Sequence, residues 1–332
     1  MVVINVLGMH RSGTSLLASM LAESGVFPGP EDKLIPKAAD NPTGFWEYKP
    51  FSTINRELLG MLGGSWDVPP PIYPRWTSIH DVSAYRDRVY QHIEEDFAEH
   101  EHWLWKDPRN CLTIEFWNQV IPEAKPLIIV RHPLEIALSL SSGKTHTREL
   151  PSLLGVNLWQ KYYSVLTSVV APEDATWVHY DKLVQQPHDE LQRLLVGLGI
   201  DVEADVATKA TERANPQDRE SRFGVADVPA ELVDDYLRYC ELAGYQPNET
   251  SVQSTISQFM LAKDRGARNL LDRYQQKVDV ANAQAKRLQD QVQGLQTKTQ
   301  NMEQQITTLQ AEQKDQIATL QAEQKDQIAT LQ

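Results

Sequence analysis

The chain has 332 residues, 41% of them apolar, enough for one large domain or two ordinary ones with a substantial core. Its net charge of −13 excludes a general binder of nucleic acid or of anionic membranes, whose phosphates select basic surfaces, so any anion has to be captured locally. Cys111 and Cys240 are too few for a disulfide framework or a thiolate metal site. No apolar run approaches a membrane span and a strand follows Met1 directly, so the expectation is a cytoplasmic protein with neither signal peptide nor anchor.

The first predicted element is VVINVLG, residues 2 to 8, an apolar run suited to a buried parallel strand. GMHRSG reads as a turn, and TSLLASMLAESG as an amphipathic helix stopped by Gly25. Gly8 and Gly13 have the separation of a nucleotide-binding phosphate loop and Ser15 closes it. Thr14, however, occupies the lysine position, and the one strong cation, Arg11, lies inside the loop. Helix-start amides still attract an anion, so Arg11, Ser12, Gly13, Thr14 and Ser15 are candidate ligands. What is lost is the ammonium that reaches the outer phosphates of a triphosphate. The alternative is a tight glycine turn with Arg11 as a surface charge.

Next comes NPTGFWEY, where Asn41-Pro42 and Gly44 mark a loop and the rings of Phe45 and Trp46 would shield the Glu47 carboxylate from water. The alternative for Glu47 is an ordinary surface acid in a turn. VPPPIYP, residues 68 to 74, reads as a connecting loop, with an extended edge of a cleft as the other possibility. Trp103 and Trp105 alternate around Leu104 as core residues of a strand. PLIIVRHP is a further strand, ending in Arg131 where a triphosphatase would place a metal-holding aspartate. Pro133 starts a helix that carries Ser139. A planar guanidinium with a hydroxyl two helical turns on makes a second anion pocket. His10 and His132 flank the two anion sites as hydrogen-bonding or packing residues. No metal-ligand spacing links the histidines, so no metal is expected. Residues 201 to 232 are polar and poorly periodic, as a lid would be.

Composition then changes. Beyond residue 263 there is no Pro or Trp, Gln is abundant, and TLQAEQKDQIA occurs at 308 to 318 and again at 319 to 329 before the chain stops at TLQ in a third copy. Leu271, Tyr274, Val278, Ala281, Ala285, Leu288, Val292, Leu295, Thr299, Met302, Ile306 and Leu309 alternate spacings of three and four, the seam of a left-handed coiled coil. From Gln313 to Leu331 the spacing becomes an eleven-residue repeat, which straightens or reverses the supercoil. The expected organisation is an α/β domain over 1 to 247, a linker or helix start over 248 to 262, and a coiled coil over 263 to 332 that makes a homo-oligomer. A solvated single helix or disorder is the alternative.

Arg11-Ser12-Gly13-Thr14-Ser15, followed in order by WKDPR at 105 to 109 and by Arg131 and Ser139, resembles the paired motifs of sulfotransferases that use 3′-phosphoadenylyl sulfate (PAPS). The similarity covers roughly residues 1 to 247. It implies a P-loop-like fold with a central parallel sheet flanked by helices, a 5′ phosphate held by the first motif and a 3′ phosphate held by Arg131 and Ser139. It also implies Lys106 facing the transferring sulfuryl group, Tyr180 of HYDKL presenting its ring to adenine, and Arg222 of SRFGV in the late loop that closes on the 3′ phosphate. Two departures stand out: Leu16 replaces the usual Trp, and Pro108 replaces the catalytic histidine of the cytosolic enzymes. Glu47 is therefore the first candidate for the base, in line with the glutamate of the tyrosyl-protein and heparan enzymes, and Asp107 the second, against its reading as an ion pair or helix cap. The acceptor, on this reading, is a hydroxyl or amine of a glycan, lipid or peptide, with a glycan or its precursor favoured. Two other readings stand beside it, a small-metabolite kinase requiring ATP and Mg²⁺, and a non-catalytic coiled-coil scaffold that only binds a nucleotide.

Overall fold

The computed structural model describes residues 1–37, 44–141, 150–201, 204–211 and 221–249, with isolated positions between 298 and 313. Two compact units are distinguished, Met1–Leu270 and Leu271–Gln332. In the second unit the described positions, Lys298, Thr299, Met302, Gln305, Leu309 and Gln313, are helical. The heptad and eleven-residue seams otherwise lie outside the described residues, as do Asn41 and Pro42.

The first unit contains strands β1 (Val2–Leu7), β2 (His102–Lys106), β3 (Lys125–Val130) and β4 (Thr176–His179). Its helices are α1 (Thr14–Glu23), α2 (Lys49–Met61), α3 (Trp76–Ile79), α4 (Ser83–Asp96), α5 (Ile114–Val120), α6 (Pro133–Ser141), α7 (Ser152–Val169), α8 (Tyr180–Gln185), α9 (Pro187–Leu198), α10 (Ala204–Thr211) and α11 (Val233–Leu242). All strand pairs are parallel, in the order β2-β1-β3-β4. The chain leaves β1 toward β2 and leaves β3 toward β4, so the order reverses between the neighbours β1 and β3. A crevice opens at that point beyond their carboxyl ends, and ligands of open α/β sheets bind there.

Side chains alternate along each strand, and helices cover both faces, which is why the strands are almost continuously apolar. Ile4, Val6, Leu127, Ile129 and Val178 meet Leu17 and Leu21 of α1 and Leu191, Leu194 and Leu198 of α9. On the other face Leu7, Ile128 and Val130 pack with Trp159, Tyr163, Tyr236 and Tyr239 of α7 and α11. Under the β2 edge, Trp103 and Trp105 join Phe51, Phe97 and Trp117. Gly155 lets α7 lie directly on α6, since a Cβ there would stand 2.6 Å from the Ala137 Cα. Within the segment 201 to 232, α10 occupies 204–211 and buries Ala210 in the core, and residues 212 to 220 lie outside the described residues.

A buried polar ladder fixes the turn that follows β2. Asn110 Nδ2 donates to Asn5 Oδ1 on β1 at 2.8 Å, and Asn55 Nδ2 on α2 donates to Asn110 Oδ1 at 2.7 Å. Thr113 and Trp117 both donate to Asn55 Oδ1, at 2.6 and 2.8 Å. Every member is satisfied, which low dielectric rewards and any deletion exposes. Asn55→Ala strands Asn110 Oδ1 and Trp117 Nε1 in the core, while Thr113 keeps the Arg109 carbonyl, so chemical denaturation is expected to show a loss of about 3 kcal/mol, with little change in the slope of the transition.

Candidate active site

The loop after β1 is built from backbone that favours glycine. Gly8 and Gly13 lie at φ 149 and 102, and Arg11 itself at φ 70. A Cβ on Gly8 would stand 2.7 Å from the Ile129 carbonyl, and one on Gly13 would stand 2.4 Å from the Tyr180 ring. The loop is therefore wedged against β3 and the start of α8. Gly13 is the N-cap of α1, and no side chain caps that helix. Its first-turn amides have no carbonyl partner within the helix and face a cradle of left-handed turns, the arrangement that holds anions. Ser12 and Thr14 are buried, and Ser15 is partly so.

The two predicted anion sites meet across the crevice. Arg11 Nε donates to Ser139 Oγ on α6 at 2.9 Å, and Arg131 Nη1 donates to the Arg11 carbonyl at 3.3 Å. The Arg131 guanidinium lies 4.1 Å from the centre of the Tyr180 ring. Its Nε is enclosed with no partner among the described residues, a donor left over in an otherwise bonded site. Tyr180 is 7% exposed, so what it presents to the crevice is largely the cation it carries.

Arg222 reaches the same cluster through Glu135, a residue to which the sequence reading gave no role. Glu135 Oε1 accepts from the Arg222 backbone N–H at 2.8 Å and from its Nε at 3.0 Å, while Oε2 accepts from Nη2 at 2.9 Å. The same Oε2 lies 3.6 Å from Arg131 Nη2. Burial raises the Glu135 pKa, but the hydrogen bonds from Arg222 and the charge of Arg131 outweigh it and hold the carboxyl below its ordinary value. Its position four residues after Arg131, in the first turn of α6, is the sequence signal that could have found it.

A second cluster stands at the end of β2. Lys106, 1% exposed, donates to Ser15 Oγ at 3.2 Å and to Glu47 Oε1 at 2.8 Å. An ammonium absent from position 14 thus reaches the loop from the neighbouring strand. Arg109 Nη2 lies 3.3 Å from Glu47 Oε2. Asp107 Oδ1 accepts from the Arg109 backbone N–H at 2.9 Å and from its Nε at 2.8 Å. Asp107 is therefore both cap and ion-pair partner, and its Oδ2 is buried with no partner among the described residues. Sequence reasoning passed over Arg109, because its two carboxylate partners lie on either side of a long insertion. Around the Glu47 carboxylate the nearest polar groups are these two cations.

The histidines serve the frame. His132 Nδ1 accepts from the Leu134 N–H at 3.2 Å, so Nε2 carries the proton donated to the Gly224 carbonyl at 3.1 Å. His10 packs against Trp66, with ring centroids 4.4 Å apart. Gly8 N–H donates to Cys111 Sγ at 3.2 Å, and burial pushes that thiol up to about 12. Among the described residues one cluster, His92, Glu95 and Asp96, has the proximity of metal ligands, but Asp96 is already bonded to Lys33 and Tyr48.

Two buried groups beside the crevice titrate in the same pH range with opposite consequences. Burial lowers the His132 pKa to about 4, from 6.5. Its stability contribution is complete above pH 6.5 and is lost as the pH falls through 4. Burial raises Asp181 to about 6, from 3.8. Its contribution is complete below pH 3.8 and is lost as the pH rises through 6. Each difference corresponds to roughly 3 kcal/mol, so the two offset one another. In thermal melts Asp181→Asn should remove one arm, leaving a Tm that falls more steeply between pH 6.5 and 4 than in the parent.

The model of the sulfotransferase family matches residues 4–204, well over half of the chain. No curated protein matches by sequence. Among solved structures, sulfotransferase STF9 from Mycobacterium avium aligns at 14% identity over 74% of this chain and 78% of its own, with a TM-score of 0.46. The sulfotransferase domain of the olefin synthase from Synechococcus PCC 7002 aligns at 18% identity over 74% and 95%, with a TM-score of 0.42. Mouse sulfotransferase SULT7A1, solved with PAP, aligns at 12% identity over 85% and 89%, with a TM-score of 0.36. No described helix is long and apolar enough to cross a membrane. A family model spanning both anion motifs and the lysine strand, on a parallel sheet whose order reverses at those motifs, identifies the chain as a member of the sulfotransferase family.

Proposed function

We propose that this protein transfers the sulfuryl group of PAPS to a hydroxyl or amine, with a glycan or glycan precursor as acceptor and adenosine 3′,5′-bisphosphate as the second product. One observation carries the reading: Arg11 and Arg131, from the turns after β1 and β3, meet across the crevice, Arg131 donating to the Arg11 carbonyl and Arg11 to Ser139 Oγ. The residues fit such a nucleotide. Gly8 and Gly13 let the loop pack against β3 and Tyr180, the first-turn amides suit the 5′ phosphate, and Arg131 keeps an Nε without a partner among the described residues for the 3′ phosphate. Tyr180 contributes through the guanidinium it orients, and Arg222 through the carboxylate it shares with Arg131. When bound, PAPS supplies an activated sulfuryl group on a phosphate leaving group.

The chain's own residues then divide the work. Lys106, Arg11 and the amides of Gly13 and Thr14 stabilise negative charge developing at the bridging oxygen, a preorganised arrangement that needs no rearrangement in the transition state. Glu47 takes the proton from the acceptor, and Arg109 and Lys106 hold its carboxylate in place. Asp107 orients Arg109. No step in this reading uses a metal. The C-terminal segment is proposed as a coil that joins copies of the chain in the cytoplasm.

Incubation with labelled PAPS and a mixed panel of sugars, lipids and peptides in the presence of a chelator tests the reading. Labelled acceptor together with released bisphosphate supports it. Dependence on Mg²⁺ and ATP would point to the kinase instead, and bisphosphate binding with background turnover to the scaffold.

A further inference from the structure

Against Trp46, the residue before Glu47, lies a cavity of about 730 Å³, the size of a site that takes a small organic ligand. Its walls are the segment from Pro28 to Lys37 and the segment from Gly44 to Trp46. Both are tied to the catalytic cluster through backbone. Ile35 N–H donates to the Glu47 carbonyl at 2.8 Å, and Leu34 pairs with Tyr48. The Phe45 carbonyl accepts from the Ser15 hydroxyl at 3.4 Å. The residue that lines the cavity and the one that contacts Lys106 are thus neighbours in sequence. Trp46 stands at φ 57, an uncommon conformation for a bulky residue and one that costs on the order of 1–3 kcal/mol. Trp46 joins the cavity wall while Glu47 joins the cations.

The lining selects among acceptor classes. Pro28, Leu34, Pro36 and Trp46 give flat apolar surfaces, and the exposed acids Glu31 and Asp32 stand beside them. Carboxylates accept hydrogen bonds and donate none, so their partners are O–H or N–H donors, charged or neutral. Lys37 offsets one of the two negative charges, and its stem passes within 4 Å of a position one bond out from the Gly44 Cα. The indole Nε1 of Trp46 is enclosed with no partner among the described residues, which leaves one donor for a ligand oxygen to satisfy. A neutral sugar ring offers this combination: C–H faces for proline and indole, several O–H donors for the acids, and ether or hydroxyl oxygens for the indole. A lipid alcohol leaves both acids unused, and an acidic peptide meets repulsion at the rim.

We propose that this cavity is the acceptor subsite and that it takes an uncharged glycosyl residue, presenting one of its hydroxyls to Glu47. The proposal rests on the sulfotransferase reading above, and the experiment separates the two. Calorimetry with adenosine 3′,5′-bisphosphate on the full chain comes first, since absent binding would remove the reading of the site itself. Sulfate transfer from labelled PAPS is then measured to n-octyl β-glucoside, β-galactoside and β-maltoside, to n-octyl β-glucuronide, to decanol and to a tyrosine peptide. Neutral glycosides are expected to be the sulfated members. Ile35→Trp, which adds bulk to the lining, should raise their KM about tenfold with bisphosphate affinity unchanged. Glu31→Gln with Asp32→Asn should narrow the preference for glucoside over glucuronide. With bisphosphate binding intact, failure of every neutral glycoside, preferential transfer to decanol or the peptide, or equal KM in Ile35→Trp and parent would each overturn the assignment.

Discussion

Glu47→Gln is expected to lower kcat roughly 1,000-fold while binding of adenosine 3′,5′-bisphosphate is unchanged or tighter. The two halves of that result come from different contacts. Glutamine keeps the volume and one acceptor oxygen but removes the group that takes the acceptor's proton. Lys106, 1% exposed, and Arg109 would then face the loop without the carboxylate that now competes for them. Asp107→Asn should act differently, because Asp107 caps the turn after β2 and orients Arg109. It is expected to lower stability and turnover together, and restoration of activity by external base should be absent. Pre-steady-state kinetics on both variants, with calorimetry for the bisphosphate, separate the roles. Near-parental turnover in Glu47→Gln would pass the proton to Asp107.

Arg131→Lys should weaken bisphosphate binding by about 100-fold. The wild-type side chain makes several contacts at once: one nitrogen on the Arg11 carbonyl at 3.3 Å, another 3.6 Å from Glu135, and its face on Tyr180 at 4.1 Å. A planar fork can hold all of these and still offer Nε, whereas an ammonium is a single point charge on a flexible stem. Glu135→Gln is the companion variant. It leaves Arg131 in place but removes the anion shared with Arg222, so a smaller loss of affinity is expected, with circular dichroism confirming an intact fold. Binding within twofold of wild type in Arg131→Lys would show that the guanidinium is not a ligand.

What the sequence displayed was whatever is local. VVINVLG, the Gly8 to Ser15 loop and α1 are contiguous, and so are β3, Arg131 and α6. Their spacing alone therefore carried strand, turn and helix into the right order. Trp103 and Trp105 betrayed their burial by alternation. Long-range pairing left no such mark. Lys106 and Arg109 meet Glu47 across the inserted helices α2, α3 and α4, and Arg222 meets Glu135 across α7, β4 and three further helices. The Asn5, Asn110 and Asn55 ladder joins three separate elements, and asparagine in a strand or helix ordinarily argues for exposure. Helix α10 lies in a polar stretch without a clear apolar period, and among its described side chains Ala210 meets the core.

The central claim is that two guanidinium-bearing turns on either side of the β1/β3 crevice grip the two ends of one bisphosphorylated nucleoside. A crystal structure of the full chain with adenosine 3′,5′-bisphosphate tests it most directly. The expected density has one phosphate on the amides of Gly13 to Ser15 with Arg11 beside it, and the other on Arg131 and Ser139. A nucleoside bound elsewhere, or both phosphates outside the reach of Arg11 and Arg131, would contradict the account.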